Sequence, residues 1–151
     1  MLEIQEQCVL LDLEATSKEG VLRELTAAVH GYCPGVDQST LLDILLEREH
    51  VGSTGVGNGV AIPHGKVPDL NNILLCFGSS RSGISFDAVD NQPVHLFVLI
   101  LSPETTMAEE YLQTLGEVSR LLKNPEIRSR LMRAEDCRTI QKIFSQESQR
   151  N

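Results

Sequence analysis

The chain has 151 residues, 41% of them hydrophobic, which suits one globular domain with a single sizeable core. Its formal net charge of -8, with no cluster of Lys and Arg, argues against nucleic acid or an anionic membrane surface as partner. A basic protein partner fits better, although an acidic surface also serves solubility. The opening residues have no positive n-region or apolar h-region, and no apolar run approaches the roughly 20 residues of a bilayer span. A cytoplasmic domain with no direct membrane insertion is expected. Cys8, Cys33, Cys76 and Cys137 are widely spaced without a C-x-x-C pair, and read as reduced structural thiols rather than metal ligands.

The first expected strand is Cys8 to Leu13. Thr16-Ser17-Lys18-Glu19 then reads as a capping box opening a helix whose apolar face carries Val21, Leu22, Leu25, Ala28 and Val29, and which Pro34-Gly35 stops. A second helix starts near Asp37, a good N-cap, and carries Leu41, Leu42, Ile44 and Leu45 up to the charged end Glu47-Arg48-Glu49-His50. From Gly52 to Gly59, four glycines in eight residues predict a shaped loop that is neither helix nor strand. Pro63 keeps Ile62 extended and removes an amide donor just before His64. Ile73 to Gly78 and Val94 to Leu101 are expected strands, the second apolar on both faces and therefore central. The last third is helical, with Leu112, Leu115, Val118, Leu121 and Leu122 on one face, an interruption at Asn124-Pro125, then Ile127/Leu131 and Ile140/Ile143/Phe144. Strands interleaved with helices predict a single α/β domain over residues 1–151, a mixed sheet flanked by helices.

Glycine-rich turns often cradle phosphates, but this one fits neither nucleotide motif. A Walker loop needs a glycine where Val60 stands, and G-x-G-x-x-G starting at Gly55 also meets Val60. As a bare pattern, such a loop beside a histidine is only a tight connection. Here Pro63 and Gly65 bracket His64 with one rigid and one permissive residue, which predicts an imidazole presented at a turn. Neutral imidazole is a good nucleophile near neutral pH, and its phosphoramidate is reactive enough to pass the group on. Arg48, the Thr54 hydroxyl and the loop amides are the donor types that would tolerate the phosphoryl charge, whereas Lys66 reads more simply as solvated. His95, His30 and His50 have plain structural explanations, and the four histidines lack the close pairs of a zinc site.

Leu46-Glu47-Arg48-Glu49 followed by the run from Gly52 to Lys66, with Ala61-Ile62-Pro63-His64-Gly65, resembles the signature of the phosphotransferase-system enzyme IIA family of the fructose/mannitol class, especially its nitrogen-regulatory branch. The resemblance implies a mixed α/β fold, and a phosphocarrier in which His64 takes a phosphoryl group from a phosphohistidine on HPr or a relative of it. It further implies Arg48 as the active-site arginine, and Thr54, Gly55 and Gly57 as lining of the phosphohistidine pocket, with no metal, nucleotide or other cofactor. The family places a second histidine near the start of the helix after the long strand. Here that position is Tyr111, a phenol that can donate a hydrogen bond but carry no positive charge.

Three functions remain open on the sequence. One is a regulatory phosphocarrier whose state is read by partners such as a sensor kinase or ion transporter, favoured by the nitrogen-branch loop and by the lack of a fused transport segment. Another is a sugar-specific transferase passing phosphate to a IIB-type acceptor. The third is an interaction module that has lost phosphorylation, with Tyr111 as its sign. The ring nitrogen of His64 that would carry phosphate is also open.

Overall fold

The computed structural model describes residues 2–148. A 3-10 turn at Glu6–Cys8 leads into β1 (Val9–Leu10), and α1 (Lys18–Tyr32) and α2 (Gln38–Val51) follow. Three short strands, β2 (Gly55–Gly57), β3 (Val60–Ala61) and β4 (His64–Val67), precede the two long ones, β5 (Leu74–Ile84) and β6 (Val94–Pro103). The last part comprises α3 (Ala108–Lys123), α4 (Pro125–Arg133) and α5 (Cys137–Glu147). The expected class, an α/β domain with a mixed sheet between helices, is the one observed.

Every residue of β6 except His95 is buried, as an unbroken apolar run requires when helices cover both faces of a strand. One edge of β6 pairs antiparallel with β5, and β5 pairs in parallel with β1. The other edge takes β3 and then β4, both parallel, with β2 antiparallel beyond β3. Pro63 lies between β3 and β4 and has no amide to give, but its carbonyl accepts from the Ile100 amide at 2.9 Å. The chain therefore stays on β6, and His64 arrives opposite Ile100. Phe77 packs edge-on against Phe144 of α5 with ring centres 5.9 Å apart, whereas a Cβ on Gly78 would stand 3.2 Å from Leu25 of α1. Successive strand residues point to opposite faces, so α1 and α5 cover opposite sides of the sheet.

Several local expectations are corrected. The first strand is only Val9–Leu10: Cys8 belongs to the 3-10 turn, and Asp12 has a φ of 61°, outside the extended region. The capping box does not form, because Ser17 is the N-cap and accepts from the Gly20 amide, while Glu19 pairs with Arg23 at 3.2 Å. Asp37 caps α2 as expected, accepting from the Thr40 amide. The strand expected to stop at Gly78 continues to Ile84. Leu112, assigned to the apolar face of α3, is 63% exposed.

The largest correction concerns the glycine loop, which is a bulged hairpin formed by β2 and β3. Asn58 and Gly59 turn it with φ values of 58° and 74°, the left-handed pair that matches the twist of a two-stranded ribbon. A Cβ on Gly55 would lie 2.8 Å from the Ala88 Cα, so only glycine lets β2 approach that segment. Gly55→Ala is expected to destabilise the fold by about 1–3 kcal/mol, the range for overpacking. Urea unfolding checks this, and an unchanged midpoint would mean that the segment around Ala88 yields to the methyl group.

Candidate functional site

The hairpin delivers the chain to β4, where His64 is the first strand residue rather than part of a turn. Alternation along β4 then separates the side chains. Gly65 faces α2, where a Cβ would meet Ile44 at 3.0 Å, so His64 and Lys66 share the opposite face. Tyr111, in the first turns of α3, stands on that face. Its ring centre is 6.1 Å from that of His64 in an edge-on arrangement, and the Lys66 Nζ lies 5.7 Å from the same ring. The phenol thus sits between the imidazole and a cation. Lys66 is exposed, as expected, and its ammonium also lies beside the Tyr111 ring.

The His64 ring is held through one nitrogen. Its Nδ1 lies 2.8 Å from the Ile62 carbonyl, which can only accept, so Nδ1 carries the proton and the Nε2 lone pair is left free. Arg48, near the end of α2, donates from Nη1 to the Gly52 carbonyl at 2.8 Å, which leaves its other N-H groups uncommitted. Its charge also reaches Tyr111. Burial pushes the Tyr111 hydroxyl up to about 12, with the nearby Arg48 guanidinium pulling weakly the other way. The hydroxyl is therefore a donor throughout the physiological range.

That shift has a measurable sign. The unfolded phenol ionises near pH 10, so above that value the unfolded state sheds its proton first and stability falls as pH climbs from 10 towards 12. An absorbance titration should show a phenolate with a midpoint near 12 that disappears in Tyr111→Phe. A midpoint near 10 for this phenol would show that the ring is not sequestered.

The remaining expected site residues take up other positions. Both donors of Thr54 are directed at Glu49: the amide donates to Oε1 at 3.0 Å and the hydroxyl to Oε2. That hydroxyl proton is therefore not offered to a phosphoryl group. The Gly55 amide donates to the Ser53 hydroxyl at 3.0 Å, and Gly57, with a φ of 94°, packs beside Asp90. The structure thus groups His64, Arg48, Tyr111 and Lys66, and puts Thr54, Gly55 and Gly57 into the hairpin scaffold.

Glu49, next to Arg48 in the motif, also contributes to the scaffold around His64. It is buried, receives both Thr54 donors, and pairs with the Lys18 Nζ at 2.9 Å. Lys18 in turn lies 4.7 Å over the Phe86 ring. Glu49 is joined to His64 through single contacts. The Thr54 carbonyl accepts from the Ile62 amide at 3.0 Å, and the Ile62 carbonyl accepts from His64 Nδ1. The available signal was a glutamate at a helix end five residues before a threonine that opens a hairpin.

The other histidines lie elsewhere: the Nδ1 of His30 is on the Val36 carbonyl, and that of His95 on the Ser80 carbonyl. Among the described residues no group of three or more His, Cys, Asp or Glu is placed to hold a metal ion, and no helix is long and apolar enough to cross a membrane.

His64 thus stands on the edge strand β4 with Tyr111 beside it, in a chain whose sequence matches a known family. Residues 3–147 fit the family model for the phosphoenolpyruvate-dependent sugar phosphotransferase system, EIIA 2, and the chain belongs to that family. A nitrogen regulatory protein of Bradyrhizobium diazoefficiens is 36% identical over 142 residues, covering 94% of this chain and 92% of the relative. A PTS system fructose-specific EIIA component of Haloferax volcanii is 34% identical over 140 residues, covering 93% of this chain and 90% of the relative. The crystal structure of nitrogen regulatory protein IIA-Ntr from Neisseria meningitidis has a TM-score of 0.87 at 29% identity, covering 93% of this chain and 95% of that one. The family is one of phosphotransfer carriers.

Proposed function

We propose that His64 accepts a phosphoryl group on Nε2 from a phosphohistidine of a small HPr-like carrier, and that the resulting state regulates partner proteins in the cytoplasm. One observation carries this reading: Nδ1 is fixed on the Ile62 carbonyl, and the free Nε2 shares its face with Tyr111 and Lys66, close to Arg48. The Nε2 lone pair attacks phosphorus and forms the new P-N bond. The carrier's P-N bond breaks, and its electron pair returns to the carrier's imidazole. Positive charge that develops on the His64 ring is stabilised through Nδ1-H on the Ile62 carbonyl. Arg48, Lys66 and the Tyr111 hydroxyl supply donors to the phosphoryl oxygens, so Lys66 restores a charge that a second histidine would have carried.

Exposed Val51 ends the helix that carries Arg48, and exposed Met107 and Leu112 stand at the N-cap and in the first turns of the helix that carries Tyr111, apolar side chains suited to a docking carrier. Val56 is exposed as well, whereas Val60 is buried in the sheet. The test is phosphorylation by phosphoenolpyruvate, enzyme I and HPr, with the product read by nitrogen and phosphorus NMR. A phosphoramidate at His64 Nε2 is expected. Phosphate on Nδ1, or no label, would overturn the reading.

The fructose-specific relative supports a second reading, onward transfer to a IIB-type acceptor. Transfer of label to such an acceptor favours it, whereas binding of a sensor kinase or ion transporter that differs between the two phosphorylation states favours regulation.

A further inference from the structure

At the other end of β6, five residues before Ile100 and hence about 17 Å along the strand, a cleft of about 280 Å³ opens beside His95. Its charged lining is wholly basic among the described residues, in a chain with 21 acidic and 13 basic side chains. Arg81, exposed near the end of β5, makes no hydrogen bond or ion pair with any described residue. Arg128 of α4 is held from below, its Nη1 donating at 2.9 Å to the Leu122 and Lys123 carbonyls that end α3. Its remaining N-H groups are uncommitted. His95 is fixed in the same way as His64, with Nδ1 2.9 Å from the Ser80 carbonyl and Nε2 unpartnered. The Ser129 hydroxyl and the Met132 side chain complete the wall. Asp90, in the turn before β6, accepts from the Asn58 amide on one carboxylate oxygen and from the Gln92 amide on the other.

We propose that this cleft binds a small phosphorylated molecule, its phosphate held between Arg81, Arg128 and His95 and its apolar part resting on Met132. Two of the three groups, Arg128 and His95, are already fixed by backbone carbonyls, so little side-chain ordering accompanies binding, and His95 donates to the phosphate from Nε2 once that nitrogen takes up a second proton. A planar guanidinium with free paired donors suits phosphate oxygens. The site also touches the phosphocarrier machinery. Its rim includes Asn58 and Gly59 at the hairpin tip, and the Gly59 carbonyl accepts from the amides of His95 and Leu96 at 2.9 and 3.0 Å. A ligand here would brace the hairpin that leads to His64.

The test is titration of the full isotopically labelled chain with pyrophosphate, with ADP and with a glutamate-rich peptide, followed by NMR. Saturable shifts at Arg81, His95 and Ser129 are expected with the first two, and tighter binding of ADP than of pyrophosphate. Arg81→Glu should weaken binding by about tenfold or more, since it replaces a charge-assisted contact with repulsion. The same variant should still be phosphorylated by the carrier at the wild-type rate. Shifts confined to His64, Lys66 and Arg48, or undiminished binding by Arg81→Glu, would overturn the proposal. Equal affinities for ADP and pyrophosphate would remove Met132 from it. Shifts produced by the peptide but not by pyrophosphate would make the cleft a protein-docking patch instead.

Discussion

His64→Ala is expected to take up no acid-labile, alkali-stable phosphate from a phosphorylated carrier, with incorporation falling to background. The reason lies in the number of available nucleophiles. His30 and His95 have Nδ1 on carbonyls but lie away from Tyr111, and His50 is exposed near the end of α2 with no hydrogen bond to a described residue that orients its ring. Removing the nucleophile of a group-transfer site abolishes the covalent step, and binding donors left behind cannot replace it. The fold should survive, because His64 is only partly buried and its hydrogen bond is local, two residues back. Unfolding followed alongside labelling separates the two effects. His30→Ala should label as wild type, and retained label in His64→Ala would remove this residue from the mechanism.

Glu49→Ala should damage both stability and transfer. It leaves the Lys18 ammonium, largely buried, with only exposed Asp87 at 3.9 Å as counter-charge and the Phe86 carbonyl as acceptor, and it frees both Thr54 donors in a buried setting. Breaking a buried pair from one side costs about 3–5 kcal/mol, a large fraction of the roughly 5–15 kcal/mol that holds an ordinary domain together. Glu49→Gln keeps the shape and an acceptor for Thr54 but loses the charge opposite Lys18, and should cost about 1–3 kcal/mol. If Glu49 acts through Thr54 and Ile62 on the His64 ring, the Gln variant should lower the rate of phosphate uptake with little change in carrier affinity. A variant that is destabilised yet transfers at the wild-type rate would confine Glu49 to a structural role.

The sequence made the fold class legible because β6 and the helices carry strong periodic signals. The continuous apolar run from Val94 to Leu101 has no face for solvent, and Asp37 with its Thr40 amide contact is a local cap that needs no tertiary information. The site was legible in its centre, His64 and Arg48, because both stand in a contiguous motif. Its periphery was not. The four glycines predict a shaped loop and hide the Asn58-Gly59 pair, which is itself a hairpin signal. Placing His64 in β4 depends on pairing with Ile100, a partner 36 residues away. Thr54 reads as a hydroxyl near a histidine in the sequence, and only packing reveals that the hydroxyl donates its hydrogen bond to Glu49. Lys66 gained its place by strand alternation, which could not be applied while the segment was read as a turn.

The short strand that carries His64 has a further consequence. Among the described residues β4 pairs only with β6, so its other side is an open sheet edge of the kind through which proteins join into aggregates. It is four residues long, with Pro63 immediately before it and Pro68 immediately after, and with exposed Lys66 within it. Each of these discourages strand addition by a second molecule. The same features that fix His64 at the start of a short strand thus keep the edge from recruiting its own kind.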